Sequence, residues 1–215
     1  EIVQKETRAT AISFGLPIAV TRSHPDFAAL SVARAHLGEH RSSMSHLYQR
    51  IRELRGMNYG DYAYIEYFPN GMFQMQPQPN YVRANDLFQV WLRPLRNNND
   101  ALFASRAALF ELGRLVDKGM AADDFERSRD FLRKFVSNLT PTQTAQLGYA
   151  IDSNLYRIED FASYVRKGLD ALTVEQVNAA LRKHVDLKGV RFVFISAEAD
   201  DLAKRLASGA PSPIE

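Results

Sequence analysis

Two patterns between residues 36 and 59 could each support chemistry at a carbonyl group. The first is His36-Leu37-Gly38-Glu39-His40, an H-x-x-E-H spacing. Two histidines four residues apart on one helical face can hold a Zn²⁺ ion while the glutamate between them activates the metal-bound water. A third ligand must then come from elsewhere in the chain. The second pattern is Arg52 with Tyr59 seven residues on. A guanidinium and a phenol both donate hydrogen bonds, and both suit a carbonyl oxygen or the oxyanion formed when a carbonyl is attacked. Ser42, Ser43 and Ser45 stand near histidines, but no nucleophile elbow or placed acid accompanies them, and helix capping explains them better.

The elements beneath these patterns decide between them. Ser23 can cap a helix whose first turn accepts Pro25 and whose apolar positions are Phe27, Leu30, Val32, Ala33 and Leu37. The pattern stops at Gly38, read as the left-handed residue that closes a helix. Glu39 and His40 then fall in a loop as surface groups, and His36 becomes a partly buried residue at the helix end. Ser42 or Ser43 offers a cap for a second helix through Leu47, Ile51 and Leu54, ended by Gly56. Arg52 lies in the last turn of that helix and Tyr59 at the mouth of a strand over 59–67, so the two converge across Gly56.

Around this stretch the sequence predicts one or two strands over 8–21, where Pro17 argues against a central, uninterrupted strand. It predicts a hairpin turn at Pro69-Asn70-Gly71 with a returning strand over 72–78, and a strand over 87–92. Helices follow over 102–116, 121–139, 142–156, 158–169 and 174–184, the last capped by Thr173, then a buried strand over 190–195 and a helix over 198–206. The result is one α+β domain over 1–215. His24, His184 and His46 read as structural or surface residues. The aromatic set Tyr62, Tyr64, Tyr67, Phe68, Phe73 and Trp91 reads as core or interdomain packing.

Composition narrows the function. The 27 basic and 25 acidic residues are spread along the chain without a basic block, which speaks against nucleic acid as a partner. With no cysteine, any metal must rest on His, Asp or Glu. No apolar run reaches the roughly 20 residues that span a bilayer, and the opening EIVQKETRAT does not read as a signal peptide.

The segments ISFGLPIAVTR, HLGEHRSSMSHLYQRIRELRGMNYGDYAYIEY, LGYAIDS and LTVEQVNAALRKHV, in that order, resemble the C-terminal, non-catalytic half of the M16 (insulinase/pitrilysin) zinc peptidases over essentially the whole chain. The resemblance implies an antiparallel-rich sheet of about four to six strands with helices packed on one face. It also implies a second, zinc-bearing H-x-x-E-H domain, preceding this one or on a separate subunit, with peptide held between the two. In that family the second half supplies an arginine and a tyrosine in an R-x6-Y spacing, here Arg52 and Tyr59, so this chain carries no cofactor, is inactive in isolation, and leaves zinc to the partner. One alternative makes the chain itself a zinc endopeptidase using His36, His40 and Glu39, with Glu111 the nearest candidate for a third ligand, although AALFELGRLV lacks the acidic pair the family places there. Another makes it a structural scaffold, like the inactive superfamily members in respiratory complexes. Bacterial relatives are often exported, which points to the periplasm; the sequence itself states neither compartment nor peptide preference.

Overall fold

Nine residues with inward-facing apolar side chains at alternate positions make Thr10–Ile18 the strand on which the sheet is built: Ile12, Phe14, Leu16 and Ile18 are all buried. The computed structural model describes residues 1–39, 42–66, 79 and 86–212. The expected turn at Pro69-Asn70-Gly71, the returning strand 72–78, and Tyr67, Phe68, Phe73 and His40 lie outside them.

Five strands, β1 (Ile2–Gln4), β2 (Thr10–Ile18), β3 (Gly60–Tyr64), β4 (Asp86–Leu95) and β5 (Arg191–Ser196), form a sheet in the order β1-β5-β2-β4-β3. Every described pairing is antiparallel except β1 with β5. The helices are α1 (Phe27–Gly38), α2 (Asn98–Lys118), α3 (Ala122–Phe135), α4 (Gln143–Tyr156), α5 (Phe161–Ala171), α6 (Val174–His184) and α7 (Ala199–Ser208). The core joins one parity of the sheet, including Ile12, Phe14, Phe88, Val90 and Leu92, to Leu30 and Leu37 of α1, Leu112 of α2 and Leu181 of α6. Tyr62 and Tyr64, at the other parity of β3, pack with Trp91 in a separate aromatic cluster. The architecture is α+β, as the sequence predicts.

Several expectations change in detail. β2 is central despite Pro17, because its pairing with β5 covers only Ala11 to Gly15. At Pro17 the strand keeps β4 alone as a neighbour, so one side tolerates a missing N–H. The cap of α1 is Asp26 rather than Ser23, and no side chain bonds the first turn there. Thr173 does cap α6, in a full capping box with Gln176, and Thr142 caps α4 as well, which the sequence reading does not specify. β5 is only half buried, with Phe194 inward and Val193 outward. β1 was not anticipated, being three residues long.

The reason for Gly38 is different from the one the sequence suggests. It is the last residue of α1, and it is not among the glycines with positive φ. A Cβ on it would lie 2.7 Å from the Ala63 nitrogen and 2.8 Å from the Asp61 carbonyl oxygen. The residue is small so that α1 can rest on the backbone of β3, which fixes one of the two patterns against the other.

A buried arginine pins the far end of β3. Arg22 is fully buried, with Nε 2.7 Å from Glu66 Oε1 and Nη1 2.7 Å from Asp152 Oδ2. Its guanidinium carbon also lies 4.8 Å from the Phe161 ring centre and 5.2 Å from that of Tyr149. Burial alone works against the charge, but Glu66, Tyr149 and Asp152 outweigh it and hold the guanidinium protonated.

Candidate functional site

The second pattern comes together. After Ser45 the chain makes one turn of α-helix, in which Gln49 N–H donates to the Ser45 carbonyl at 3.1 Å, then widens into a π-helical turn over Tyr48–Glu53. Within it Leu54 N–H reaches the Gln49 carbonyl five residues back at 3.1 Å. Gly56, at φ +60°, closes the turn and redirects the backbone into β3. Tyr48 and Tyr59 flank Arg52, whose guanidinium carbon is 4.7 Å from each ring centre. Arg52 Nη1 also donates to the Tyr48 hydroxyl. Two aromatic rings thus lie close to the guanidinium carbon, and the Tyr48 hydroxyl takes one of its N–H groups.

Tyr59 is 70% exposed, unlike the buried tyrosines of β3 that follow it. It and Arg52 line an open groove of about 520 Å³, together with Arg8, Glu53, Asn58 and Arg96. Arg96 is committed to Asp100 at 2.6 Å.

Beneath the groove lies a pair that sequence reasoning missed. Asn58 Nδ2 donates to Asp61 Oδ1 at 2.6 Å and to the Gly60 carbonyl at 3.3 Å. Both residues are buried, and neither Asp61 Oδ2 nor Asn58 Oδ1 has a hydrogen-bond partner among the described residues. Burial pushes the Asp61 carboxyl up to about 7, against the opposing pulls of the Asn58 bond and the Arg52 charge. Tyr48 could have been found from its i,i+4 spacing to Arg52. Asn58 and Asp61 leave no periodic signal, because their role depends on depth rather than on spacing.

The first pattern is dispersed. α1 ends at Gly38, and Glu39 turns to an extended backbone (φ −68°, ψ 138°). Glu39 leaves the helical face of His36 and is buried, where it receives Arg34 Nη1 at 2.6 Å; the expectation of a surface glutamate is corrected, because an arginine one turn back compensates its burial. His36 stacks on His46, ring centres 5.5 Å apart, and burial lowers its ring to about 4, with Asp124 pulling upward and His46 and Arg127 downward. Glu111 is not free for a metal either. His46 Nε2 lies 2.8 Å from one of its oxygens and Arg50 Nε donates to the other at 2.9 Å. Burial raises the Glu111 carboxyl, but those two partners bring it below its ordinary value. Among the described residues the arrangement neutralises charge and packs histidines, and His36, Glu39 and Glu111 do not converge on one point.

No family model matches the sequence, and no curated protein matches it. Solved structures do. The chain is similar to the peptidase M16 inactive domain from Pseudomonas fluorescens, with 20% identity, a TM-score of 0.68, and coverage of 90% of this chain and 42% of that one. It is similar to the inactive peptidase domain of a candidate zinc protease from Bordetella parapertussis, at 16% identity and TM-score 0.60, covering 88% and 94% of the two chains. It also overlays on a chain of Complex III2 from Candida albicans at 11% identity and TM-score 0.71, covering 96% and 48%. The fold is that of M16 inactive domains, and the chain spans less than half of the Pseudomonas and Candida chains.

Proposed function

We propose that this chain is the non-catalytic domain of an M16-type zinc metallopeptidase. It pairs with a zinc-bearing domain, encloses peptide between the two, and offers Arg52 and Tyr59 as hydrogen-bond donors to it. The observation that carries the reading is the setting of Arg52: its guanidinium carbon lies 4.7 Å from the ring centres of Tyr48 and Tyr59 at the edge of an open groove, with Tyr59 70% exposed. Donors fixed before substrate arrives need no reorganisation as negative charge develops on a carbonyl oxygen, which is where such groups contribute most.

In this reading the Zn²⁺ belongs to the partner. Of the residues of this chain that share the motif's spelling, Glu39 has left the helix and is paired with Arg34, which speaks against zinc here. When bound in the partner, zinc supplies the activated water and polarises the scissile carbonyl. Arg52 and Tyr59 act on the same peptide from the opposite wall, positioning its backbone. The test is turnover of a peptide by the complete two-domain protein carrying Arg52→Ala or Tyr59→Phe. Each is expected to lower kcat/KM by on the order of 10²-fold, and an unaltered value removes the role assigned to the pair.

A second reading, as an assembly scaffold, is favoured by the overlay on a chain of Complex III2. The sequence of the partner domain separates them: an intact H-x-x-E-H supports the peptidase reading, and its loss in the partner supports the scaffold.

A further inference from the structure

We propose that His24, Asp26 and His184 form a binding site for one divalent transition-metal ion of the zinc class, where the entry to α1 meets the end of α6. Each residue offers one ligand atom, and these atoms all lie within 4.8 Å of one another. His184 Nε2 is 2.7 Å and His24 Nδ1 3.9 Å from the same Asp26 oxygen. With metal–nitrogen and metal–oxygen bonds of about 2.0–2.1 Å, tetrahedral ligand atoms sit roughly 3.3 Å apart, a value between those two distances. Side-chain adjustments of about an ångström, within the 4.8 Å that bounds all three separations, bring the ligand atoms to that spacing.

The donors have the right chemistry. Two imidazoles and one carboxylate form a borderline set that suits zinc, cobalt(II) or nickel(II) better than magnesium or calcium, which prefer all-oxygen shells. His24 Nδ1 accepts the Asp26 backbone N–H at 3.0 Å, so it presents a lone pair and not a proton, and metal binding exchanges that hydrogen bond for a coordinate bond. The two rings cross edge to face at 87° with centres 5.1 Å apart. The side chains of His24 and Asp26 are about a quarter exposed and that of His184 only 9%, leaving an open side for a water ligand and for entry of the ion. Lys183 Nζ, 2.8 Å from Asp26 Oδ2, is the competing cation. Its side chain is 62% exposed and can swing into solvent at little cost. None of these residues lines the Arg52 groove, so the site stands or falls apart from the peptidase reading.

A bound ion would join segments 158 residues apart in the chain and stabilise the folded state by mass action. The experiment titrates the 215-residue chain with zinc by calorimetry, and with cobalt(II) to read tetrahedral coordination in the visible spectrum, alongside thermal unfolding with and without zinc. One equivalent of metal, a raised Tm and tetrahedral cobalt bands are expected. His184→Ala and Asp26→Asn are each expected to weaken binding by about tenfold or more, Lys183→Ala to strengthen it, and His36→Ala to leave it unchanged. His24→Ala alters a partly exposed loop residue and keeps the test valid if His184→Ala folds poorly. Substoichiometric binding, undiminished binding in His24→Ala, or loss of binding in His36→Ala would each overturn the proposal.

Discussion

The two ends of the stretch from residue 36 to residue 59 are built on opposite plans. At the first, every described group is committed internally: Glu39 to Arg34, His36 to His46, and His46 with Arg50 to Glu111. At the second, Arg52 is held by aromatic faces while its neighbour Tyr59 stands in solvent. The end with the familiar spelling is closed, and the end with the ordinary residues is open. Motif letters report which atoms are available in principle; whether they are available in the fold depends on whether nearby charges have already consumed them.

The largest expected effect sharpens that contrast. In the two-domain peptidase proposed above, Arg52→Ala should cost on the order of 10²-fold in kcat/KM with an unshifted melting temperature, and Arg52→Lys should not restore it, since an ammonium lacks the planar, forked donors of a guanidinium. A variant at the closed end should do the reverse. Glu111→Gln is expected to lower stability by about 1.5 kcal/mol in thermal unfolding, by weakening two charged hydrogen bonds, and to leave peptide turnover alone. If Glu111→Gln depressed turnover as Arg52→Ala does, the division between the ends would be broken.

Gly38→Ala connects the two. Its methyl group would meet the backbone of β3 at under 3 Å, and overpacking of that kind costs about 1–3 kcal/mol. Because β3 follows directly from Tyr59, a fall in both Tm and kcat/KM is expected. A melting temperature within error of the parent would show that α1 does not press on β3 as described.

The smallest effect is one of pH. His36, lowered from its ordinary 6.5 to about 4, refuses a proton in the folded state that the unfolded chain accepts, so its contribution to stability is lost as pH falls through that window. Asp61, raised from 3.8 to about 7, keeps a proton that the unfolded chain has released, so its contribution is lost as pH rises from about 4 to 7. The two slopes oppose each other over much of one range and flatten the parent's profile. His36→Leu is expected to leave a Tm that falls with rising pH between 4 and 7, and Asp61→Asn one that falls with acidification. Parallel profiles for the two variants would contradict both assignments.

Much of this was legible in the residues themselves. The alternation in β2, the Thr173 cap of α6, and the stop at Gly38 are local, and local physics leaves local marks. The Arg52 and Tyr59 pair was legible as two donors flanking a turn. What escaped is set by partners distant in the chain. Arg22 reads as one more arginine until Glu66 and Asp152 close on it. Gly38 reads as a cap until β3 is seen beneath it. The Asp61 carboxyl is pushed up by its depth, and β1 is paired to β5, a strand far along the chain.

Arg22 also has something to say about how the domain forms. Its two carboxylate partners are 44 and 130 residues away, so until α4 arrives the core holds a cation only half matched. The native pairing of Arg22 is complete only when segments from both halves of the chain have met. Removing one carboxylate, as in Asp152→Asn, would leave the buried cation half matched and is expected to destabilise the whole domain rather than α4 alone.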